Sequence, residues 1–172
     1  ADVFINITTP KFSALAIRKV YDIGWKPAHY LNNVGASVGS VLVPAGLEKA
    51  VGLVTVAYLK DAVDTQWASD PAMKDFLAFM AKYVPDGKVS DSNNVYGYSV
   101  AQTLVQVLKQ CGDDLTRANV MRQAANLKNL QLPLALPGVK INTSPTDFYP
   151  FESLQLQRFD GKQWVLYGSV IE

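Results

Sequence analysis

Gly97-Tyr98-Ser99-Val100-Ala101 is the stretch of this 172-residue chain that comes nearest to a nucleophile motif, one glycine short of G-x-S-x-G. An elbow of that kind needs a strand before the serine, a glycine where Ala101 stands, and a histidine later in the chain. The residues before Ser99 are polar, and the single histidine, His29, comes earlier. A serine in the first turn of a helix is the simpler reading, and a serine hydrolase the remote alternative. His29 has no second histidine or cysteine near it, so a metal site would need carboxylates alone, and it reads as structural or solvent-facing. Cys111, the single cysteine, excludes an internal disulfide and any CxxC metal site, and it reads as a small core residue. Gly35, Gly39 and Gly46 do not space as a phosphate-binding loop. Asn6-Ile7-Thr8 and Asn142-Thr143-Ser144 match the glycosylation acceptor by coincidence, the first within a buried-looking strand. No cofactor, no metal and no catalytic residue is expected.

Uncharged hydrogen-bonding groups give a better signal. Thr8 and Thr9 follow the apolar run Val3-Phe4-Ile5, and Asn32, Asn33 and Val34 follow His29-Tyr30-Leu31. If both runs are parallel neighbouring strands, these residues stand at their carboxyl ends, where open α/β sheets bind ligands. Thr8 and Thr9 also precede a helix beginning at Pro10, whose free N–H groups and positive dipole end favour a carboxylate. The other reading of the same residues is that Thr9 caps a helix and the asparagines make a turn.

The elements that would position these groups are legible in outline. Asp2–Thr8 reads as a strand, and Phe12, Ala16, Val20 and Ile23 recur on one helical face that Gly24 ends. With His29–Leu31 this forms a βαβ unit. Leu53–Leu59 reads as a third strand, followed by Asp61, Asp64 and Thr65 in turn chemistry. Asp70-Pro71 starts a helix carrying Met73, Phe76, Leu77, Met80 and Tyr83. Tyr98, Ala101, Val105 and Leu108 mark a second helix closed by Gly112, and Thr116 starts a third with Val120, Met121 and Ala124. Alternation from Leu154 to Tyr167 around Asp160-Gly161 reads as a β-hairpin.

The totals exclude whole classes. Hydrophobic residues are 49% and charged residues 18%, a globular composition with enough apolar surface to fold. Sixteen basic against fifteen acidic residues give +1, with no basic stripe, so no nucleic acid is expected as a partner. No run reaches the ~18 apolar residues that span a bilayer, so no direct membrane insertion is expected. No signal sequence is recognisable, and the chain reads as soluble, either cytosolic or already processed.

The stretches ADVFINITTPKFSALAIRKVYDIGWKP, PAGLEKAVGLVTVAYLKD, the run from FLAFMAKYVPDG to NLKNL, and KINTSPTDFYPFESLQLQRFDGKQWV, in that order, carry a resemblance over some 160 residues. The chain resembles the C-terminal half of periplasmic solute-binding proteins of ABC transporters, of the branched-chain amino acid (extracellular ligand-binding receptor) type. The resemblance implies an α/β fold, a fragment of two lobes of three αβα layers with parallel sheets and hinge crossings. Residues 1–55 with 148–172 would belong to the C-terminal lobe, and 56–147 to the N-terminal lobe. The crossings would lie near Val56–Tyr58 and Asp147–Tyr149. It implies a non-enzymatic periplasmic protein with a small-molecule ligand, a membrane permease and the missing N-terminal half as partners. A sensory ligand-binding domain of a receptor or regulator is the alternative.

Ligand contacts carried over by the resemblance are Thr8, Thr9, Asn32, Asn33 and Val34, with Ala57 and Tyr58 at the hinge. Members that bind α-amino acids place a carboxylate in the second of these loops. Here Val34 stands at that position, with no Asp or Glu from Pro27 to Leu47. An unpaired buried ammonium would cost several kcal/mol, so an aromatic or aliphatic carboxylic acid is expected ahead of an amino-acid-like solute.

Overall fold

The computed structural model describes residues 1–172. Five strands form one mixed sheet in chain order: β1 (Val3–Asn6), β2 (Ala28–Leu31), β3 (Val54–Ala57), β4 (Leu154–Phe159) and β5 (Trp164–Ile171). β1, β2 and β3 pair in parallel, β3 with β4 and β4 with β5 antiparallel. The parallel crossover between β1 and β2 is α1 (Pro10–Asp22), which Gly24 stops by taking φ +69°, a conformation open to glycine at little cost. Between β2 and β3 the chain makes a 3-10 turn at Asn33–Gly35, a π turn at Val38–Leu42 and two further short turns. The small, uncharged residues from Ala36 to Gly46 thus form helical turns.

Between β3 and β4 lie α2 (Pro71–Tyr83), α3 (Ser92–Cys111) and α4 (Arg117–Ala124). Asp70 caps α2 through its Oδ1, which accepts the Met73 N–H at 2.9 Å, while Oδ2 accepts from the Lys60 ammonium at 2.8 Å. The hairpin turn is a four-residue connection, Asp160 to Gln163, wider than a two-residue turn because the Asp160 carboxylate accepts both the Lys162 and Gln163 N–H groups.

The largest buried cluster joins α1 (Ala14, Ile17) to Val41 and Leu42 of the π turn and to Phe159 and Trp164 of the hairpin. A second joins Met73, Phe76 and Met80 of α2 to Val95 of α3 and Leu134. A third gathers Val107, Cys111 and Leu127 around Ile141.

Two helix faces differ from the periodicity. α1 buries Ser13, Ala14 and Ile17, while Phe12 and Ile23 are exposed. The helix is apolar on more than one side, and small residues win the inner face because the β2 exit turn lies directly on it. A Cβ added at Gly35 would fall 2.9 Å from the Ser13 Cβ. α3 buries Val95, Ser99, Val107 and Cys111 and leaves Val105 and Leu108 exposed. Both of its sides are apolar, and the side that meets α2 and the 127–141 segment is the buried one. On α2, Met73, Phe76 and Met80 are buried, but Tyr83 is exposed. β1 is an edge strand with Val3 and Ile5 exposed, and Ile7 just past its end is exposed as well. No helix is long and apolar enough to cross a membrane.

Candidate ligand-binding site

Parallel pairing sets the ends of β1, β2 and β3 side by side, and beyond those of β2 and β3 opens a cavity of about 650 Å³. The β2 exit supplies Asn33 and Val34, the β3 exit Ala57 and Tyr58, and the start of α1 supplies Pro10. Asn33 is pinned by its Nδ2, which donates to the Val56 carbonyl at 3.0 Å. Val34 is exposed on the rim, and the Tyr58 ring packs 4.9 Å from Phe151. Burial, with Tyr96 nearby, pushes the Tyr58 hydroxyl up from its ordinary range.

Thr8, Thr9 and Asn32 are not among the lining residues. Thr8 Oγ1 donates to Asn6 Oδ1 at 2.6 Å and lies 2.9 Å from Ser13 Oγ, so its hydroxyl is spent inside the fold. Thr9 is the N-cap of α1 by position, yet its side chain makes no capping bond. Asn32 Oδ1 accepts the Val34 N–H at 2.9 Å and closes the turn.

Sequence reasoning missed a second set of wall residues. Asp61 Oδ2 accepts the Val38 N–H at 2.8 Å, and its Oδ1 accepts the Val63 N–H at 3.0 Å. Asp64 Oδ2 accepts the Trp164 N–H at 3.0 Å, and its Oδ1 accepts from Gln66. Their turn roles were visible, but their position in the wall depends on residues 23 and 100 places away. Burial pushes both carboxyls above the usual range, against the pull of these hydrogen bonds. Neither forms an ion pair; the two that exist are Lys49–Asp22 and Lys60–Asp70. The expectation of a solute without an amine rested on the 27–47 window, and the cavity draws carboxylates from outside it. Aromatic wall comes from Trp67, Tyr96 and Trp164, the last anchored by its Nε1, which donates to the Ala36 carbonyl at 2.9 Å. Gln157 of β4 also faces the cavity. Its place in the strand's alternation looks like a solvent position; β5 beyond it makes β4 an inner strand.

The remaining chemistry-bearing residues stand apart. Ser99 is buried within α3, seven residues after its start, so no strand-turn-helix elbow exists. His29 is buried in β2, with Asn6 Nδ2 donating to its Nε2 at 3.3 Å and the Phe4 ring 4.6 Å away. Burial lowers its pKa to about 4, which fits a neutral ring accepting at Nε2. Cys111 ends α3 in the core. No three His, Cys, Asp or Glu side chains converge as metal ligands.

No curated protein sequence matches the chain. Among solved structures, a branched-chain amino acid ABC transporter protein from Thermus thermophilus with bound valine superposes with a TM-score of 0.81 at 16% identity, over 99% of this chain and 46% of that one. A substrate-binding periplasmic protein from Ralstonia solanacearum gives 0.78 at 14% identity, over 97% and 46%. A leucine binding protein from Thermotoga maritima gives 0.69 at 19%, over 99% and 45%. At these identities the likeness is one of fold, and the chain spans a little under half the length of the proteins it matches. The fold is therefore half of the two-lobed one. The family model that matches, over residues 1–163, describes binding proteins and not enzymes. On that match the chain belongs to the periplasmic binding protein family.

Proposed function

We propose that this chain forms part of the solute-binding component of an ABC importer, working outside the cytoplasmic membrane and delivering a small organic acid to a membrane permease. The observation that carries the reading is the position of the cavity, at the carboxyl ends of β2 and β3, beside the start of α1 and against the segment leaving β3. Residues 1–55 with 148–172 would form one lobe and 56–147 part of the other, with crossings near Val56–Tyr58 and Asp147–Tyr149. Lobe closure would trap the solute to the extent that the closed state binds it better than the open one. The first turn of α1 would receive a carboxylate, since its N–H groups point out of the helix and Thr9 leaves them uncapped. The T. thermophilus protein with bound valine and the T. maritima leucine binding protein supply the precedent for an amino-acid-like solute.

A complementary N-terminal half would cover the apolar surface that this chain leaves open. Ile5 on the edge strand β1 with Ile7 just past its end, and Val100, Leu104 and Leu108 along α3, form exposed rows of a kind that marks an interface. Light scattering should find the 172-residue chain self-associated, and co-expression with a matching N-terminal half should give a 1:1 complex. A monodisperse monomer that ignores such a half would overturn the two-lobe reading.

A further inference from the structure

Gly39 lies inside the π turn at Val38–Leu42, and its backbone is not in the left-handed region that calls for glycine. Alanine would suit a helical turn better. What glycine supplies here is space. A Cβ built on Gly39 would stand 2.6 Å from the Ser90 Cβ, 3.1 Å from the Ser90 carbonyl oxygen and 3.1 Å from a Val63 methyl. Non-bonded carbons ordinarily meet at about 3.5–4.0 Å, so a methyl group at this position would force the facing segments apart. Two hydrogen bonds join those segments beside the close approach. The Oγ of the buried Ser37 donates to the Ser90 carbonyl at 3.3 Å, and the Val38 N–H donates to Asp61 Oδ2 at 2.8 Å. Ser37, Asp61 and Ser90 all line the cavity, so the seam is also part of its wall.

We propose that Gly39 is a positioning residue for cleft closure: with Ser37 it meets Ser90 at the seam between the two lobes, and its missing side chain sets how far they close. This rests on the two-lobe reading above, which puts Ser37 and Gly39 in the lobe of residues 1–55 and Asp61, Val63 and Ser90 in that of 56–147. The seam is held by this chain's own groups, so it sets part of the balance between open and closed states that a solute then shifts. An obstruction there lowers the closed population and weakens every solute by the same factor.

The test is hydrogen exchange of the 172-residue chain, read by mass spectrometry on peptides covering 36–42 and 88–91. Gly39→Ala should speed exchange at least tenfold in both peptides and leave β3, β4 and the core of α3 unchanged. Adding Ser90→Gly, which removes the opposing Cβ, should restore most of the lost protection. Gly35→Ala is the control, because it would crowd Ser13 within one lobe; it should lower the melting temperature and loosen α1 without reaching 88–91. Unchanged exchange in Gly39→Ala, no rescue by Ser90→Gly, or loosening spread through β3 and α3 overturns the proposal. A tryptophan-fluorescence titration with leucine and with 3-phenylpropionate separates the seam from the solute-binding reading. Whichever probe binds the unsubstituted chain should bind Gly39→Ala at least tenfold more weakly, and equal affinity overturns the seam while solute binding stands. Binding of neither, nor of a wider set of small acids and amino acids, counts against the solute reading, and the exchange result still decides the seam.

Discussion

Asn6 at the end of β1 and Gln157 in the middle of β4 are both carboxamides more than nine-tenths buried in one sheet, and their surroundings could hardly differ more. Asn6 gives its N–H to His29 and takes the Thr8 hydroxyl, while Ser13 donates to the Thr8 carbonyl. Four side chains close on one another, and the β1–α1 junction needs nothing from outside. Gln157 has an open cavity before it and no partner in the chain. Buried polar groups that satisfy each other hold a fold together, and the Gln157 carboxamide, which opens on the cavity, holds nothing in the fold. That contrast separates residues which equally resemble binding groups when read along the sequence.

The sharpest way to break the contrast is to ask whether the cavity side is simply the soft side. Trp164 says otherwise: it is 1% exposed, meets Phe159 edge-on at 5.3 Å and anchors Ala36. Trp164→Ala should cost about 3–5 kcal/mol by denaturant unfolding, as for other large core aromatics. A cost below about 1 kcal/mol would mean that the wall is not preformed.

The next largest effect comes from the junction. With a folded pKa of about 4 against 6.5 unfolded, His29 binds its proton more readily in the unfolded chain. Its contribution is therefore present above pH 6.5 and is lost as pH falls through about 4, by at most about 3 kcal/mol. Asp61 and Asp64, with raised pKa values, act oppositely. The folded state holds their protons more tightly, so their protonation favours the fold as pH falls through their raised values. A melting-temperature profile should drop between pH 6.5 and 4, and His29→Gln should flatten that drop.

Asn6→Leu follows, at about 2–3 kcal/mol, because it strands the buried His29 Nε2 and leaves the Thr8 hydroxyl with Ser13 alone. Gln157→Met, the matching loss of a carboxamide, should cost nothing. If the two variants destabilise alike, the distinction between the closed junction and the cavity-facing carboxamide fails.

How much of this was legible in the sequence follows from the range of each interaction. The strand-helix-strand order and the Asp70-Pro71 start of α2 were plain, because a capping carboxylate and the N–H it accepts lie three residues apart. Which side of α1 and α3 is buried was not, since both helices are apolar on two sides and neighbours remote in sequence choose between them. The cavity was half legible. Asn33, Val34, Ala57 and Tyr58 stand at strand ends, where a topological rule reaches them. Asp61 and Asp64 looked like turn residues because they are, and Gln157 looked like the polar beat of an alternating strand. The hairpin to β5 was legible, but nothing within ten residues of Gln157 announces that the other edge of β4 pairs with β3.

The smallest expected effect comes from the adjacent pair Thr8 and Thr9, which the sequence presents as equals. Thr8→Val removes a hydroxyl that donates to Asn6 Oδ1 at 2.6 Å and touches Ser13, and should cost about 1–2 kcal/mol. Thr9→Val removes a hydroxyl that makes no capping bond from an exposed position, and should stay within about 0.5 kcal/mol. Neither residue lines the cavity, so a carboxylate at the head of α1 would be held by backbone N–H groups that both variants keep. Affinity for the solute should therefore be unchanged in Thr9→Val. A tenfold loss there, with stability intact, would mean that closure brings the Thr9 hydroxyl onto the solute, and would move the anionic subsite from the backbone to the side chain.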